Sequence, residues 1–383
     1  MIEPIIKPQW YVRCDEMAKR SVDAVKNKEL KIIPEANEKI WYHWLDNIKD
    51  WCVSRQLWWG HRIPAYLCKV EGLIDHPDTI NEDHWVIART EEAALEAAAA
   101  KFNVDKARIS LEQDEDVLDT WFSSGLFPFY SLGWPNVDDE NLKAFFPGQL
   151  LETGHDILFF WVARMVMMSL CLTDQLPFKE VYLHAMIRDA QGRKMSKSLG
   201  NVVDPLEVID GCALKVLVDK IYDSNLPNHE IDKAVKNKQK EFPDGIPMCG
   251  SDALRFGLLA YMVQPRSINL DIKRIISYRL FCNKIWNSVL YALRYCDATF
   301  VPAKDLSALG LGLVDKWILS RLNATIRDAN RAFAEYEFGT LANSLYDFWL
   351  KEFCDVYIEI SKAVLASNDE KSKEATKNTL YLQ

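Results

Sequence analysis

Several common signatures are missing from this sequence. There is no G-x-x-x-x-G-K-[ST], so a P-loop nucleotide site has no support. H-E-x-x-H and G-x-S-x-G are also absent, which removes the zinc-protease and α/β-hydrolase readings. The nine cysteines, at positions 14, 52, 68, 171, 212, 249, 282, 296 and 354, include no C-x-x-C pair. A zinc knuckle is therefore not expected, nor any protein-bound metal. An odd, scattered set of thiols fits a reducing compartment, so a cytoplasmic location is expected, with a mitochondrial matrix as the other choice. The start, MIEPIIKPQW, has no basic flank before an apolar run and does not read as a signal peptide. The most apolar stretch, 157–172, is interrupted by Arg164 and is short for a bilayer crossing. It is expected to be a buried helix, and no membrane partner is expected.

What is present is ordinary in bulk. The 383 residues allow two or three domains, and 49% hydrophobic with 26% charged residues is typical of a globular chain. Thirteen tryptophans point to large aromatic cores or pockets. A net charge of −9 argues against a large nucleic-acid surface but permits a local basic face.

Along the chain, Trp10-Tyr11-Val12 reads as a short strand and 15–28 as a helix. The segment 51–68 is dense in aromatics, Arg and His. Residues 71–112 are acidic and alanine-rich, with a helix over 91–101, and are expected to form a peripheral insertion. Ser123-Ser124-Gly125 is expected to mark a turn. Apolar strands near 150–153 and 181–185 alternate with helical pattern, which predicts a parallel α/β sheet. Residues 212–250 are polar and lysine-rich, and the chain is expected to be helical from Ser251. Apolar residues then recur in steps of three and four: Ile318, Leu322, Ile326, Ala329 and Phe333, followed by Leu341, Leu345, Trp349, Phe353, Val356, Ile360 and Val364. These spacings predict a helical bundle.

Two segments carry chemistry. Lys194-Met195-Ser196-Lys197-Ser198 follows a turn-like Asp189–Arg193 and precedes Leu199-Gly200-Asn201. Lysine is a compact cation suited to phosphate oxygens. A loop that brings lysine close as charge grows on leaving phosphates stabilises the transition state selectively. The bland alternative is an exposed polar loop. The second segment, Glu152-Thr153-Gly154-His155-Asp156, falls where a strand should end and a helix begin. Gly154 allows close backbone approach and a helix N-terminus favours anionic ligands. Asp156 could accept hydrogen bonds from ribose hydroxyls or an ammonium, or could simply cap the helix. His155 and His184 have no metal-ligand spacing and otherwise read as hydrogen-bonding residues.

Several segments in order carry a resemblance: KPQWYVR at 7–13, WCVSRQLWWGHRIPAY at 51–66, DVLDTWFSSGLFPF at 116–129, LLETGHDILFFWVARMVM at 150–167 and VYLHAMIRDAQGRKMSKSLGNVVDP at 181–205. GIPMCGSDALRFGLLAY at 245–261 and FCNKIWN at 281–287 continue it. Together they resemble the valyl-tRNA synthetase family of class I aminoacyl-tRNA synthetases. The resemblance implies an incomplete Rossmann-type parallel sheet followed by an α-helical bundle. Residues 1–270 would be the second half of the catalytic domain, with 206–270 a connection after the KMSKS loop. Residues 271–383 would open the anticodon-binding domain. It implies that ATP, with Mg2+, activates valine to valyl-adenylate for transfer to tRNA(Val). Lys194 and Lys197 would contact the ATP phosphates, with Ser196 and Ser198 shaping the loop. Glu152, Gly154, His155, Asp156 and His184 would line the adenylate site. Trp121, Ile157 and Trp161 would wall the valine pocket.

The family's H-x-G-H signature and its editing domain do not occur here. A partner N-terminal half, or a longer chain, is therefore expected to be needed for activity. Two other readings compete. One is a non-catalytic descendant that binds tRNA or a partner; it has no physical need for the KMSKS lysines. The other is an isoleucyl relative, which the cavity size at Ile157 and Trp161 would distinguish.

Overall fold

The computed structural model describes residues 3, 6–196, 201–223, 226–263 and 267–383. They form two compact units, Met1–His184 and Ala185–Gln383.

The first unit runs β1 (Tyr11–Val12), α1 (Asp15–Lys26), β2 (Lys31–Ile33), α2 (Glu38–Asp46), β3 (Trp51–Cys52), β4 (Ser54–Arg55), β5 (Ala65–Val70), β6 (Trp85–Ile87), α3 (Glu91–Phe102), β7 (Ile109–Gln113), β8 (Val117–Leu118), α4 (Thr120–Tyr130), α5 (Glu140–Phe145), β9 (Gly148–Gly154), α6 (Arg164–Thr173) and β10 (Phe178–His184). Three strands form a parallel sheet in the order β2-β10-β9. The middle strand is apolar and buried at Phe178, Val181 and Leu183, as a strand covered on both faces must be. Helix α1 carries Asp15 and Glu16 in its first turn and Lys26 in its last, complementing the helix dipole. Its apolar stripe, Ala18, Val22 and Val25, packs in the sheet core with Trp41 of α2 and with Val162, Met165 and Val166. The apolar stretch His155–Thr173 has the length and composition to cross a membrane. Here it is a core element, a π-helical segment over Leu158–Ala163 leading into α6.

Strands β6-β5-β7 form a separate antiparallel sheet covered by α3. Cys68, Val70, Val86, Ala94 and Ala98 make a small core of their own. Thr90 caps α3 by accepting from the Ala93 N–H at 3.2 Å, and Asn103 ends it in the left-handed region. The expected turn at Ser123–Gly125 is instead the middle of α4. The small residues serve packing. Ser124 bonds back to the Thr120 carbonyl, and Gly125 is buried facing Arg164 and Met168.

The second unit opens with β11 (Met186–Arg188), then α7 (Pro205–Ile209), α8 (Leu214–Tyr222), α9 (Asn228–Glu241), α10 (Ser251–Tyr261), β12 (Ser267–Asn269), α11 (Ile272–Leu293), α12 (Leu313–Ala334), α13 (Phe338–Tyr346), a π-helical segment Asp347–Ile358, α14 (Glu359–Leu365) and α15 (Glu370–Leu382). The helical run expected from Ser251 is broken by β12, which pairs in parallel with β11. One core gathers around Leu254, Tyr261, Ile275 and Tyr278, and a second around Ile318, Phe348, Phe353 and Tyr357.

The last helices differ from the spacing in two ways. On α12 the apolar stripe is buried at Ile318 but exposed at Ile326 and Phe333. Along 338–365 the wider π-helical turns rotate the inward face. Phe348, Phe353, Tyr357 and Ile358 are buried, while Leu345, Val356 and Ile360 face out. The buried Tyr357 hydroxyl donates to Asp315 Oδ1 at 2.7 Å, and Asp315 Oδ2 accepts the Gly312 N–H at 3.1 Å. Burial pushes the Tyr357 hydroxyl well above the usual tyrosine range, and Asp315 adds to the effect. Tyr357→Phe is expected to cost roughly 1.5–3 kcal/mol, because the buried carboxylate loses a donor. Urea unfolding measures it, and an unchanged midpoint would show that this network adds nothing to stability.

Candidate functional site

In the first unit the site begins at the carboxyl ends of two neighbouring parallel strands. Gly154 closes β9 directly opposite His184, the last residue of β10. Ligands in open parallel sheets bind just beyond such ends. Tyr182 stands opposite Glu152, and the Glu152 carboxylate reaches His184 Nδ1, tying the two strand ends together. The chain then makes one tight turn over His155–Ile157 before the π-helical segment. His155 Nε2 lies 2.9 Å from Asp156 Oδ1, while His155 Nδ1 is buried with no hydrogen-bond partner among the described residues. The residue at the N-cap of this turn is Gly154, and Asp156 lies within its first turn.

The aromatic residues meet one element further on. Trp161 Nε1 donates to the Ser124 carbonyl at 3.1 Å, joining the π-helical segment to α4. Trp121, in the first turn of α4, stacks on Phe160 with ring centroids 6.3 Å apart. Ile157 is half-buried at the end of the tight turn. Trp121, Ile157 and Trp161 thus lie on facing elements. A cavity of about 280 Å³ nearby is lined by Cys14, Trp44, Trp51, Phe159, Arg164 and others, but by none of those three.

A buried charge cluster sets the spacing of these elements. Asp119 caps α4 through the Trp121 N–H and forms ion pairs with Arg55 at 2.9 Å and Arg164 at 3.4 Å. Its Oδ2 also accepts from Trp51 Nε1 at 3.0 Å. The Arg164 guanidinium sits 4.1 Å from the Trp51 ring centroid. Burial lowers the Arg164 pKa, an effect Asp119 opposes. Motif reading missed this cluster. Its signal was Arg164 itself, a lone charge inside an apolar run, because a buried charge needs a partner.

In the second unit, β11 runs into a turn over Asp189–Arg193 that returns as far as Lys194, bridged to Arg188. Asp189 is 5% exposed and accepts from the N–H groups of Gln191 and Arg193 and from Arg193 Nε at 2.7 Å. Burial alone would raise its pKa, but bonds from Asn201 and Arg193 hold it below the usual aspartate range. Lys194 is exposed and Ser196 half-buried. Lys197 and Ser198 lie outside the described residues. Beside the turn, a cavity of about 550 Å³ is lined by Ala190, Glu241, Phe242, Asp271, Lys273 and others.

A model of the class I tRNA synthetases (I, L, M and V) matches residues 2–271, and a model of the anticodon-binding domain of tRNA ligases matches residues 315–382. The chain belongs to the class I tRNA synthetases. It is 55% identical over 383 residues to a valine–tRNA ligase of Mus musculus, covering 100% of this chain and 30% of that protein. It is 49% identical over 383 residues to a mitochondrial valine–tRNA ligase of Saccharomyces cerevisiae, covering 34% of it. The chain thus spans about a third of the length of the relatives it matches. A Mycobacterium tuberculosis methionyl-tRNA synthetase in complex with methionyl-adenylate matches with a TM-score of 0.59 at 16% identity, over 98% of this chain and 57% of that one. That likeness concerns the fold alone.

Asp119→Ala leaves Arg164 buried without its carboxylate, and is expected to cost about 3–5 kcal/mol. Chemical denaturation measures it. A loss below about 1 kcal/mol, the scale of an exposed pair, would show that the cluster is solvated.

Proposed function

We propose that this chain supplies the second half of the catalytic core, residues 1–270, and the opening of the anticodon-binding region, residues 271–383, of a valine–tRNA ligase. The identity of 55% along its whole length to a protein of that name is the observation that carries the reading. In the reaction, the valine carboxylate attacks the α-phosphate of ATP, which arrives with Mg2+. Valyl-adenylate forms and pyrophosphate leaves. A terminal ribose hydroxyl of tRNA(Val) then attacks the carbonyl and AMP leaves. No covalent enzyme intermediate is needed, so positioning and charge stabilisation dominate.

In this reading Lys194 and Lys197 face the ATP phosphates, and Ser196 and Ser198 shape the loop. Gly154, His155 and Asp156, with the paired Glu152 and His184, line the adenylate site. The buried His155 Nδ1 without a partner supports this, since a ligand group could pair with it. Trp121, Ile157 and Trp161 wall the valine pocket. Only an apolar, rigid wall suits an aliphatic side chain. The work is placed in the cytoplasm on the scattered free thiols, with the mitochondrial matrix the second choice because one matched relative is mitochondrial by name.

Valine-dependent ATP–pyrophosphate exchange tests the reading. The chain alone is expected to show none. Exchange should appear once a polypeptide bearing the H-x-G-H signature is added, and should fall by about 10² or more in Lys197→Ala. Exchange by the chain alone would overturn the need for that half. Absence of exchange in the reconstituted pair, with tRNA binding retained, would favour the non-catalytic reading. Exchange faster with isoleucine than with valine would favour the isoleucyl relative.

A further inference from the structure

The turn before the lysine–serine loop is held by a side chain to which the proposed reaction gives no role. Asn201 Nδ2 donates to Asp189 Oδ2 at 3.0 Å and to the Lys194 carbonyl at 3.2 Å. Asn201 Oδ1 accepts the Ser196 N–H at 3.0 Å. One primary amide therefore ties the backbone at 194 and 196 to a buried carboxylate. The polarity is forced. A carboxylate can only accept, so the amide nitrogen must face Asp189, and the amide oxygen is left to take the Ser196 N–H. Asp189 is itself immobilised, by Arg193 and by two backbone N–H groups.

We propose that Asn201 is a positioning residue, which transmits the fixed place of Asp189 to the backbone of Lys194 and Ser196. The functional half of this inference rests on reading those two residues as part of the phosphate-facing loop. The structural half does not. Without the amide, Lys194 and Ser196 lose their side-chain link to Asp189 while Lys194 keeps its backbone bridge to Arg188, and the lysine would search more positions before it met a phosphate. Holding a reacting group in place is worth rate to the extent that the search is avoided.

The structural half is tested on the full chain by limited trypsin digestion, with cleavage after Arg193 and Lys194 followed by mass spectrometry. Such cleavage requires local opening, so its rate reports how firmly the segment is held. Asn201→Ala is expected to raise cleavage at these bonds about tenfold or more, the scale of a lost hydrogen bond to a charged group. Cleavage after Lys101 and Arg331 should stay unchanged. Asn201→Asp places two carboxylates in contact and should be at least as fast. The double variant Asn201→Asp with Asp189→Asn sets an amide NH2 against Arg193 Nε and a carboxylate against the Lys194 carbonyl, so it should be at least as fast as Asn201→Ala. Unchanged cleavage in Asn201→Ala, equal acceleration at the reference bonds, or parent-like cleavage in the double variant would each overturn the inference.

The functional half is read in the reconstituted exchange assay. Asn201→Ala should lower exchange about tenfold with the KM for valine unchanged. An effect on the valine KM alone would overturn it. If the parent pair shows no valine-dependent exchange, the ligase reading fails, and the digestion still decides the role of Asn201.

Discussion

The parallel pairing of β9 with β10 is the constraint on which the first unit depends. Parallel neighbours must be joined by a long crossover, and here that crossover is the apolar stretch ending in α6. Because the crossover lies on the sheet, its residues must be apolar on the side that meets β10, which accounts for Val162, Met165 and Val166 in the same core as Val181 and Leu183. The same pairing brings Gly154 level with His184. A slip of one residue would send each side chain of β10 to the opposite face. The strand ends and the core are therefore set by one register, and the Glu152–His184 contact across the strands follows from it.

The second constraint is electrostatic and is met in the same way in both units. Asp119 and Asp189 are nearly inaccessible carboxylates at positions where the chain must change direction. Each is satisfied by arginine and by backbone N–H groups: Arg55 and Arg164 for Asp119, Arg193 for Asp189. An acceptor with several lone pairs can hold several donors at once, which suits it to fix a turn or the start of a helix. Removing one partner from such a cluster leaves the others desolvated, so these positions tolerate change poorly.

Much of this was legible in the sequence, and the limits have physical causes. The strand-to-helix change at Glu152–Asp156 could be read because β-period apolar residues give way there to a helical run. The core helix could be read because its apolar stretch is interrupted by Arg164, although its length and composition alone would pass for a bilayer crossing. Ser123-Ser124-Gly125 misled because small polar residues mark turns by composition, while here Ser124 bonds back to the Thr120 carbonyl within α4 and Gly125 is buried beside Arg164. The inward face of 338–365 could not be read from steps of three and four, because π-helical turns have a different period. The pairing of β11 with β12 joins residues far apart in sequence, and three-residue strands leave almost no periodicity to detect. Within the candidate site, the residue types proposed to meet substrates were visible. Asp119, Arg55 and Asn201 also lie inside the segments that carry the resemblance, but their contacts with one another, with Arg164 and with Asp189 join residues apart in sequence and are recognisable only once the chain is folded.

The charge of −9 looks unfavourable for a protein proposed to handle ATP and tRNA, but a net count hides how the charges are spent. Arg193 is committed to Asp189 and cancels it locally, while Arg55 and Arg164 share the single carboxylate of Asp119. Lys194 follows Arg193 directly in the chain, yet forms no ion pair among the described residues and is exposed. The neighbouring carboxylate that could have neutralised it is already saturated by Arg193 and Asn201. The turn thereby holds one cation in place as structure and leaves the next one exposed, as the proposed phosphate-facing role of Lys194 requires even on an acidic protein.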